Sequence, residues 1–386
     1  MKRRDFLQSI GFATVAAGML PSLRAAGASG QPMKAAVIGD SPRGRYGHSL
    51  ELIFSNRPNI QIIAVADPSD GGRKKVVEAI GAKRGYKDYR EMLEKERPDL
   101  VSVAPRWLDQ RHAMVSAALA AGAHVYCEKP FTSTLAEADD LVAMARRLKR
   151  KLAVSHPIRF APGIVYLKQQ IAAGRLGEIR SIRSSGKNDR RAGGEDLFVH
   201  GTHVFDLVRY ISGTDAAEVK ARIFEKGKPI TRASARKGVY DDVGPVAGDD
   251  VEAWFTLQNG VPLHHTTKVD PAARADDFRV EYIGSKASVR IECGYDPVIT
   301  MTAGGKKGPL PGNPGDKLSK LERERLAANA RVVDDWLAAI AEDREPQSSG
   351  YEGMKAIEMI HGVYAAAVSG GTVKFPLENR RHGLMS

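Results

Sequence analysis

Short apolar runs alternate with amphipathic segments of helical length between residues 33 and 155, and this limits the fold more than any other feature. The apolar runs lie at 33–39, 60–66, 100–104, 124–127 and 152–155. They lack the period-two polar interruptions of a half-exposed strand, so both of their faces must be buried. Between them, helical spacing predicts helices at 47–55, with Leu50, Ile53 and Phe54 on one side, and at 71–80, 89–96, 113–121 and 135–148. Asp67-Pro68, Pro98 and Gly122 punctuate the series as stop signals. Strands and helices alternating in this way predict an α/β domain over 33–156, a parallel sheet covered on both faces.

The pattern changes near residue 157. Strand-forming segments now follow one another at 178–184, 218–224, 251–257 and 263–269. Residues 278–283 and 288–292 flank Gly284-Ser285 as a hairpin, with Phe278, Val280 and Tyr282 alternating with Arg279 and Glu281. Consecutive strands joined by short turns predict an antiparallel sheet in a second, α+β domain over 157–386. The stretch 304–315 is too rich in Gly and Pro to be expected in regular structure, and helices are expected at 327–341 and 350–369.

Residues 1–28 read as an address rather than as fold. Lys2-Arg3-Arg4-Asp5-Phe6-Leu7 precedes a weakly apolar run and the small residues Ala26-Gly27-Ala28, the layout of a twin-arginine export signal. That route moves folded proteins, so the expectation is an exported, periplasmic or extracytoplasmic cofactor protein. No apolar run reaches the roughly 18 residues of a membrane span. Two cysteines, Cys127 and Cys293, exclude a disulfide scaffold and a four-cysteine zinc site, and no metal-ligand spacing occurs. The 386-residue chain carries a net charge of +12; loss of residues 1–28 removes four basic and one acidic side chain and leaves +9. The basic residues are interspersed with acids and not interleaved with aromatics, which argues against nucleic acid and for solubility or an acidic sugar.

The first strand runs into Gly39-Asp-Ser41-Pro-Arg-Gly44-Arg45-Tyr46-Gly47. Gly44-x-x-Gly47 fits the second half of a dinucleotide fingerprint, although four residues separate Gly39 from Gly44 instead of one. In this setting Gly44 is expected to let the backbone approach a pyrophosphate, and Gly47 to let helix and strand pack closely, with phosphates on the helix N-terminus. Ser41, Arg45 and Tyr46 lie in the same loop as candidate cofactor contacts. Asp67, ending the second strand, suits the two ribose hydroxyls of NAD, while Arg73 and Lys74 are placed to take the 2′-phosphate of NADP. Arg106 and Trp107 follow the third strand, where nicotinamide or substrate would sit; Trp107 either stacks on a sugar or caps the core.

Residues 121–130 read Ala-Gly-Ala-His-Val-Tyr-Cys127-Glu128-Lys129-Pro130. This motif, in its place after a Rossmann half and before a helix, resembles the Gfo/Idh/MocA oxidoreductases, NAD(P)-dependent enzymes of sugars and polyols. Tyr86-x-x-Tyr89, the stretch 99–105, Arg159-Phe160-x-Pro162, Gly174-x-x-Gly177 and Gly201-x-His203-x-x-Asp206 extend the resemblance over nearly the whole mature chain. The resemblance implies a second domain with a large, open, mostly antiparallel sheet and a homo-oligomer, dimer or tetramer, built on that sheet. It also implies that Lys129 stabilises the developing alkoxide, Glu128 places the nicotinamide half, and His203 takes the hydroxyl proton. An imidazole with an unperturbed pKa near 6.5 suits that transfer.

The chain departs from the family at one point. Many members carry Asp four residues before the catalytic His; here that residue is Val199, with Glu195, Asp196 and His200 as the candidates to compensate. The segment 186–196, with Lys187, Arg190 and Arg191, adds polar groups for substrate, as do Arg159, Asp196 and His200. His264 and His265, adjacent on a strand, must face opposite ways. The function expected is hydride transfer from a sugar to a tightly held NAD, with NADP open. Redox-assisted glycoside cleavage on a bound NAD, or non-catalytic sugar binding, are the alternatives.

Overall fold

The structure, a computed structural model, describes residues 31–239, 242–270, 272 and 278–385. The export segment expected at 1–28 lies outside the described residues. Six parallel strands form the first sheet: β1 Met33–Ile38, β2 Ile60–Ala66, β3 Arg84–Tyr86, β4 Leu100–Val103, β5 His124–Cys127 and β6 Leu152–Val154. Their order, β3-β2-β1-β4-β5-β6, is that of a Rossmann sheet, with the reversal of order between β1 and β4. Helices α1 Asp70–Ile80, α2 Tyr89–Glu96, α3 Arg111–Ala120 and α4 Leu135–Arg147 connect the strands. Local signals set their ends. Ser69, Asp88 and Thr134 cap α1, α2 and α4 through their side chains, Thr134 in a capping box with Glu137, and Gly81 closes α1 in the left-handed conformation at φ 67°.

The expected helix at 47–55 is absent. A single 3-10 turn, Leu50–Leu52, stands among turns. Arg45, Gly47, Ser49 and Asn56 all have positive φ, which breaks a right-handed run before it can propagate. The apolar triad still works as read: Leu50, Ile53 and Phe54 are buried.

Beyond β6 come α5 Pro162–Ala172, β7 Ile179–Ser185, α6 Gly194–Val199 and α7 Gly201–Ser212. The second sheet then adds β8 Ala216–Glu225, β9 Asp250–Leu257, β10 Pro262–Lys268, β11 Arg279–Gly284, β12 Ala287–Glu292, β13 Val298–Ala303, β14 Lys306–Pro309 and β15 Val373–Lys374. Its ten strands run β14-β13-β12-β11-β7-β10-β9-β8-β15, with Lys228–Pro229 pairing on β8. Every pairing is antiparallel except β7 with β10, so the sheet is mixed and mostly antiparallel. Strand β14 corrects the expectation of an irregular loop at 304–315. Its polar residues pair with one neighbour only, at the sheet edge, where Gly and Pro are tolerated.

The last two helices are α8 Arg325–Ala341 and α9 Gly350–Ser369. Helix α8 returns to the first sheet: Val332, Val333, Trp336 and Leu337 bury themselves with Ala35, Val37, Val65, Tyr126 and Ala153. Trp336 is fully buried between Phe54 and Tyr126 and donates its Nε1–H to the Lys151 carbonyl at 3.2 Å. Helix α9 packs against β8, α7 and α4, so it bridges the two sheets.

Burial holds His265 and His382 neutral, pushed down to about 4. The unfolded chain takes up protons below about pH 6.5, whereas the folded chain resists until about 4. Stability is therefore complete above about 6.5 and falls as pH drops towards 4, by up to ~1.4 kcal/mol per unit per histidine. Urea midpoints at about pH 7.5 and 5 measure this, and His382→Asn flattens the slope.

Candidate functional site

The carboxyl ends of β1, β2, β4 and β5 meet along one rim, the place where open parallel sheets hold ligands. Glu128 and Lys129 follow β5 directly. Glu128 is fully buried; Lys129 is 6% exposed. One Glu128 oxygen accepts the Lys129 backbone N–H at 2.9 Å, and the other accepts both the backbone N–H and Nδ1 of His48, each at 2.9 Å. Burial raises the Glu128 pKa, but the His48 contacts and the Lys129 charge outweigh it and hold the carboxyl at about 2. The Lys129 ammonium donates to the Val199 carbonyl at 3.1 Å. Val199, standing where the resemblance expects Asp, thus offers Lys129 its backbone.

A buried cation organises this rim. Arg111, 1% exposed, donates from its guanidinium to the carbonyls of Glu128, Pro130 and Pro105. It ties the loop after β4 to the loop after β5. Neither Arg111 nor His48 was among the residues expected from sequence. His48 adjoins Gly47 in the fingerprint loop, which was the available signal. Arg111 gave none, since an arginine near a helix start reads as solvated.

The dinucleotide residues gather at β1 and β2. Asp67 is fully buried and accepts from the Ser41 Oγ at 2.6 Å, the Tyr46 hydroxyl at 2.7 Å, the Ser69 N–H at 2.9 Å and the Ser41 N–H at 3.2 Å. A carboxylate that already accepts two hydroxyls has the chemistry for a ribose diol, which would exchange for the Ser41 and Tyr46 hydroxyls. Gly44 is a cradle that a side chain would fill: its φ is 82°, and a Cβ would lie 2.6 Å from the backbone nitrogens of Arg106 and Trp107. On both counts the residues fit a dinucleotide.

Three readings of this loop change. Gly39, Ser41 and Gly44 have the G-x-G-x-x-G spacing, with Ser at the second position, a register hidden by anchoring on Gly47. A Cβ on Gly47 would strike the Glu128 carboxylate and the Ala104 carbonyl, so its close approach is to that buried carboxylate rather than between helix and strand. Without a helix at 47–55, no helix N-terminus faces the phosphates there. Arg45 is exposed and bridges Asp40 through its backbone. Arg73 is engaged by the Asp67 carbonyl and the Asp70 carboxylate.

Lys129, His48, Arg106, Pro130, Arg191, Val199, His200 and Val243 enclose a narrow polar pocket of about 50 Å³. Two larger hollows, about 460 and 610 Å³, lie elsewhere and touch neither Lys129 nor Glu128. Of these three, the narrow pocket alone joins Lys129 to imidazoles, those of His48 and His200. His200 lines it directly. His203, 9% exposed, packs edge-on to His156 at 5.6 Å and against Phe278. Burial, with the Lys129 charge beside it, keeps His203 well below the usual histidine range.

Other expected contacts sit differently. Arg159 is 2% exposed and bound to Asp206 and Glu352; it lines the 460 Å³ hollow, away from Lys129. Its guanidinium neutralises Asp206, which lies 3.2 Å from His156. Asp196 is fully buried, so it serves His200 and not a substrate directly. Lys187 contributes its backbone N–H to Asp196 at 3.0 Å. Both Arg43 and Lys237 hold cationic groups 5.6 Å from the Trp107 ring centre. His264 and His265 do face opposite ways: His265 is buried on Phe205, and His264 stacks on the exposed Trp254. Among the described residues no three or more His, Cys, Asp or Glu cluster as a metal site, and no helix is long and apolar enough to cross a membrane.

The profile of the Gfo/Idh/MocA oxidoreductases with NAD-binding Rossmann fold matches residues 33–156, and that of their C-terminal alpha/beta domain matches 168–375. D-glucoside 3-dehydrogenase of Escherichia coli is 31% identical over 275 residues, 67% of this chain and 77% of its own length. D-apiose dehydrogenase of Paraburkholderia graminis is 26% identical over 342 residues, 81% of this chain and 83% of its own. Levoglucosan dehydrogenase, solved with NADH and levoglucosan, shares the fold with a TM-score of 0.73 at 19% identity, over 90% of this chain and 100% of that one.

Replacing Arg111 by Met leaves three buried carbonyls without their donor. An orphaned buried acceptor costs about 1–3 kcal/mol, so the expected loss is at least ~2 kcal/mol in a denaturant titration. NAD affinity should fall with it, because the loop that carries Glu128 loses its anchor.

Proposed function

The chain belongs to the Gfo/Idh/MocA oxidoreductases, and on that premise we propose that it oxidises a hydroxyl of a sugar or polyol at the Lys129 pocket. NAD, when bound, supplies the acceptor for the hydride that leaves the alcohol carbon. The observation that carries this reading is the Lys129 ammonium, held beside the ionised Glu128 in a pocket that also contains His48 and His200. A buried ammonium stabilises charge on an alkoxide oxygen far better than water does. A neighbouring imidazole takes the proton; the resemblance gives this role to His203. The relatives named for D-glucosides and D-apiose support a sugar substrate.

Asp67 holds the adenosine ribose. NAD is favoured over NADP because a 2′-phosphate would meet the buried carboxylate, while Arg73 is engaged elsewhere. The paired Arg3-Arg4 before Phe6-Leu7 supports export by the twin-arginine route with the cofactor already inside. Outside the cytoplasm that cofactor must stay bound, reduced by one sugar and reoxidised in place by the carbonyl of a second. Two or four copies assemble through the outer face of the ten-stranded sheet, where Trp254 is exposed.

The first test denatures the purified mature protein and identifies any released nucleotide by absorbance and mass. One NAD per chain is expected, and an intact fold without nucleotide overturns the resident-cofactor reading. Methyl glucoside, D-apiose, myo-inositol and levoglucosan then serve as substrates, with reduction followed at the NADH absorbance band. Aglycone release from a nitrophenyl glucoside without net reduction would instead indicate glycoside cleavage. Lys129→Met should lower kcat/KM by about 100-fold or more while the nucleotide stays bound.

A further inference from the structure

We propose, resting on the oxidoreductase reading above, that His200 Nε2 accepts the substrate hydroxyl proton and that buried Asp196 is the positioning residue that fixes its tautomer. Oxidation of a CH–OH group to a carbonyl removes a hydride, taken by NAD, and a proton, taken by this nitrogen. The imidazolium so formed, opposed by Asp196, passes its proton to solvent.

The direction of each hydrogen bond around Asp196 can be assigned. The Gly193 N–H donates to the Thr267 hydroxyl oxygen at 3.3 Å, and that hydroxyl donates to Asp196 at 2.7 Å. The Lys187 N–H donates to the same carboxylate oxygen at 3.0 Å. The carboxylate is an acceptor only. Its remaining oxygen meets His200 Nδ1, so the proton of the neutral ring sits on Nδ1 and the lone pair on Nε2. An Arg191 N–H approaches that lone pair at 3.4 Å. Nε2 is therefore held as an acceptor at the pocket that holds Lys129, where a substrate hydroxyl would displace the long Arg191 contact. Gly186 keeps the carboxylate in reach, since a Cβ there would collide with it.

His203 has no such partner. Among the described residues its Nδ1 is buried without a hydrogen bond, and a histidine without its orienting acid is a poor base. The D-x-x-x-H spacing missing at 199 and 203 is present at Asp196 and His200, about one helical turn earlier. The arrangement spans α6, with His200 at its junction with α7.

The groups facing His200 are Asp196 from α6, His203 from α7, Lys129 from the loop after β5, Arg191 with its partner Asp189, and the edge-on ring of Phe278. Burial and the two cations lower its pKa against the pull of Asp196, so the ring is neutral and ready to accept at neutral pH.

The test uses the NAD-loaded full chain with ¹⁵N-histidine and the four sugars above as probes, in wild type and in the variants H200Q, H203Q and D196N. Binding of NAD, read by fluorescence, controls for folding in each variant. H200Q should lower kcat by about 100-fold or more. H203Q should lose at least about tenfold less than that. D196N, behind His200 and not lining the pocket, should lower kcat and shift the acidic limb of the pH–rate profile with KM little changed. Independently of turnover, nitrogen spectra should show His200 with Nδ1 protonated and Nε2 bare, and mixed tautomers in D196N. Loss in H203Q equal to that in H200Q, or an Nε2-protonated His200 in wild type, overturns the proposal. If no probe is oxidised by wild type, the oxidoreductase reading fails in its substrate, and the tautomer spectra still decide whether His200 is held as a base.

Discussion

The site depends on a guanidinium that has no carboxylate. Arg111 spends its donors on three carbonyls, those of Pro105, Glu128 and Pro130, and is buried with them. Carbonyls at strand ends are the groups a parallel sheet leaves without ladder partners, and burying them unpaired is costly. One planar cation supplies donors to two loops at once. The loop after β4 and the loop after β5 therefore keep a constant separation, and Glu128 and Lys129 inherit their positions from it.

A second constraint acts from the other side. The turns at 41–56 are driven against Glu128 by Gly47, and His48 locks onto the carboxylate with two donors. The acid is thus surrounded by the backbone on one side and the Lys129 amide on the other. Its charge is stabilised by geometry rather than by solvent, which is why it remains ionised in a dry place. The positive φ values that abolish the expected first helix are the other face of the same arrangement. A regular helix could not bring Gly44 to the backbone at 106–107 and Gly47 to Glu128 together.

The sequence made the sheet strands legible because β1, β2, β4, β5 and β6 are buried on both faces and written in continuous apolar residues. It hid β3 and β14, whose three and four residues have no apolar run and gain their pairing only from a neighbour. Helices with caps, such as α4 with Thr134 and Glu137, were read closely. Helices α5 and α6 were missed, one opening at a proline and the other inside a glycine-rich charged segment. Glu128 and Lys129 were legible as a motif. His48 and Arg111 were not, because each acts on a residue far along the chain, 80 and 17 positions away. Arg159 shows the converse: a cation near a motif looks available in sequence, and the structure pairs it with buried Asp206.

Trp336 and its neighbours on α8 close one face of a sheet whose last strand ends at Val154. During synthesis that face therefore emerges from the ribosome long before its cover exists. The nucleotide half cannot finish folding as it is made, and a fragment cut after β6 would carry a bare apolar surface prone to stick to itself. Completion comes only when α8 returns at Arg325, about 170 residues after β6 ends at Val154, so the nucleotide half and most of the second domain must be made before either sheet is fully covered.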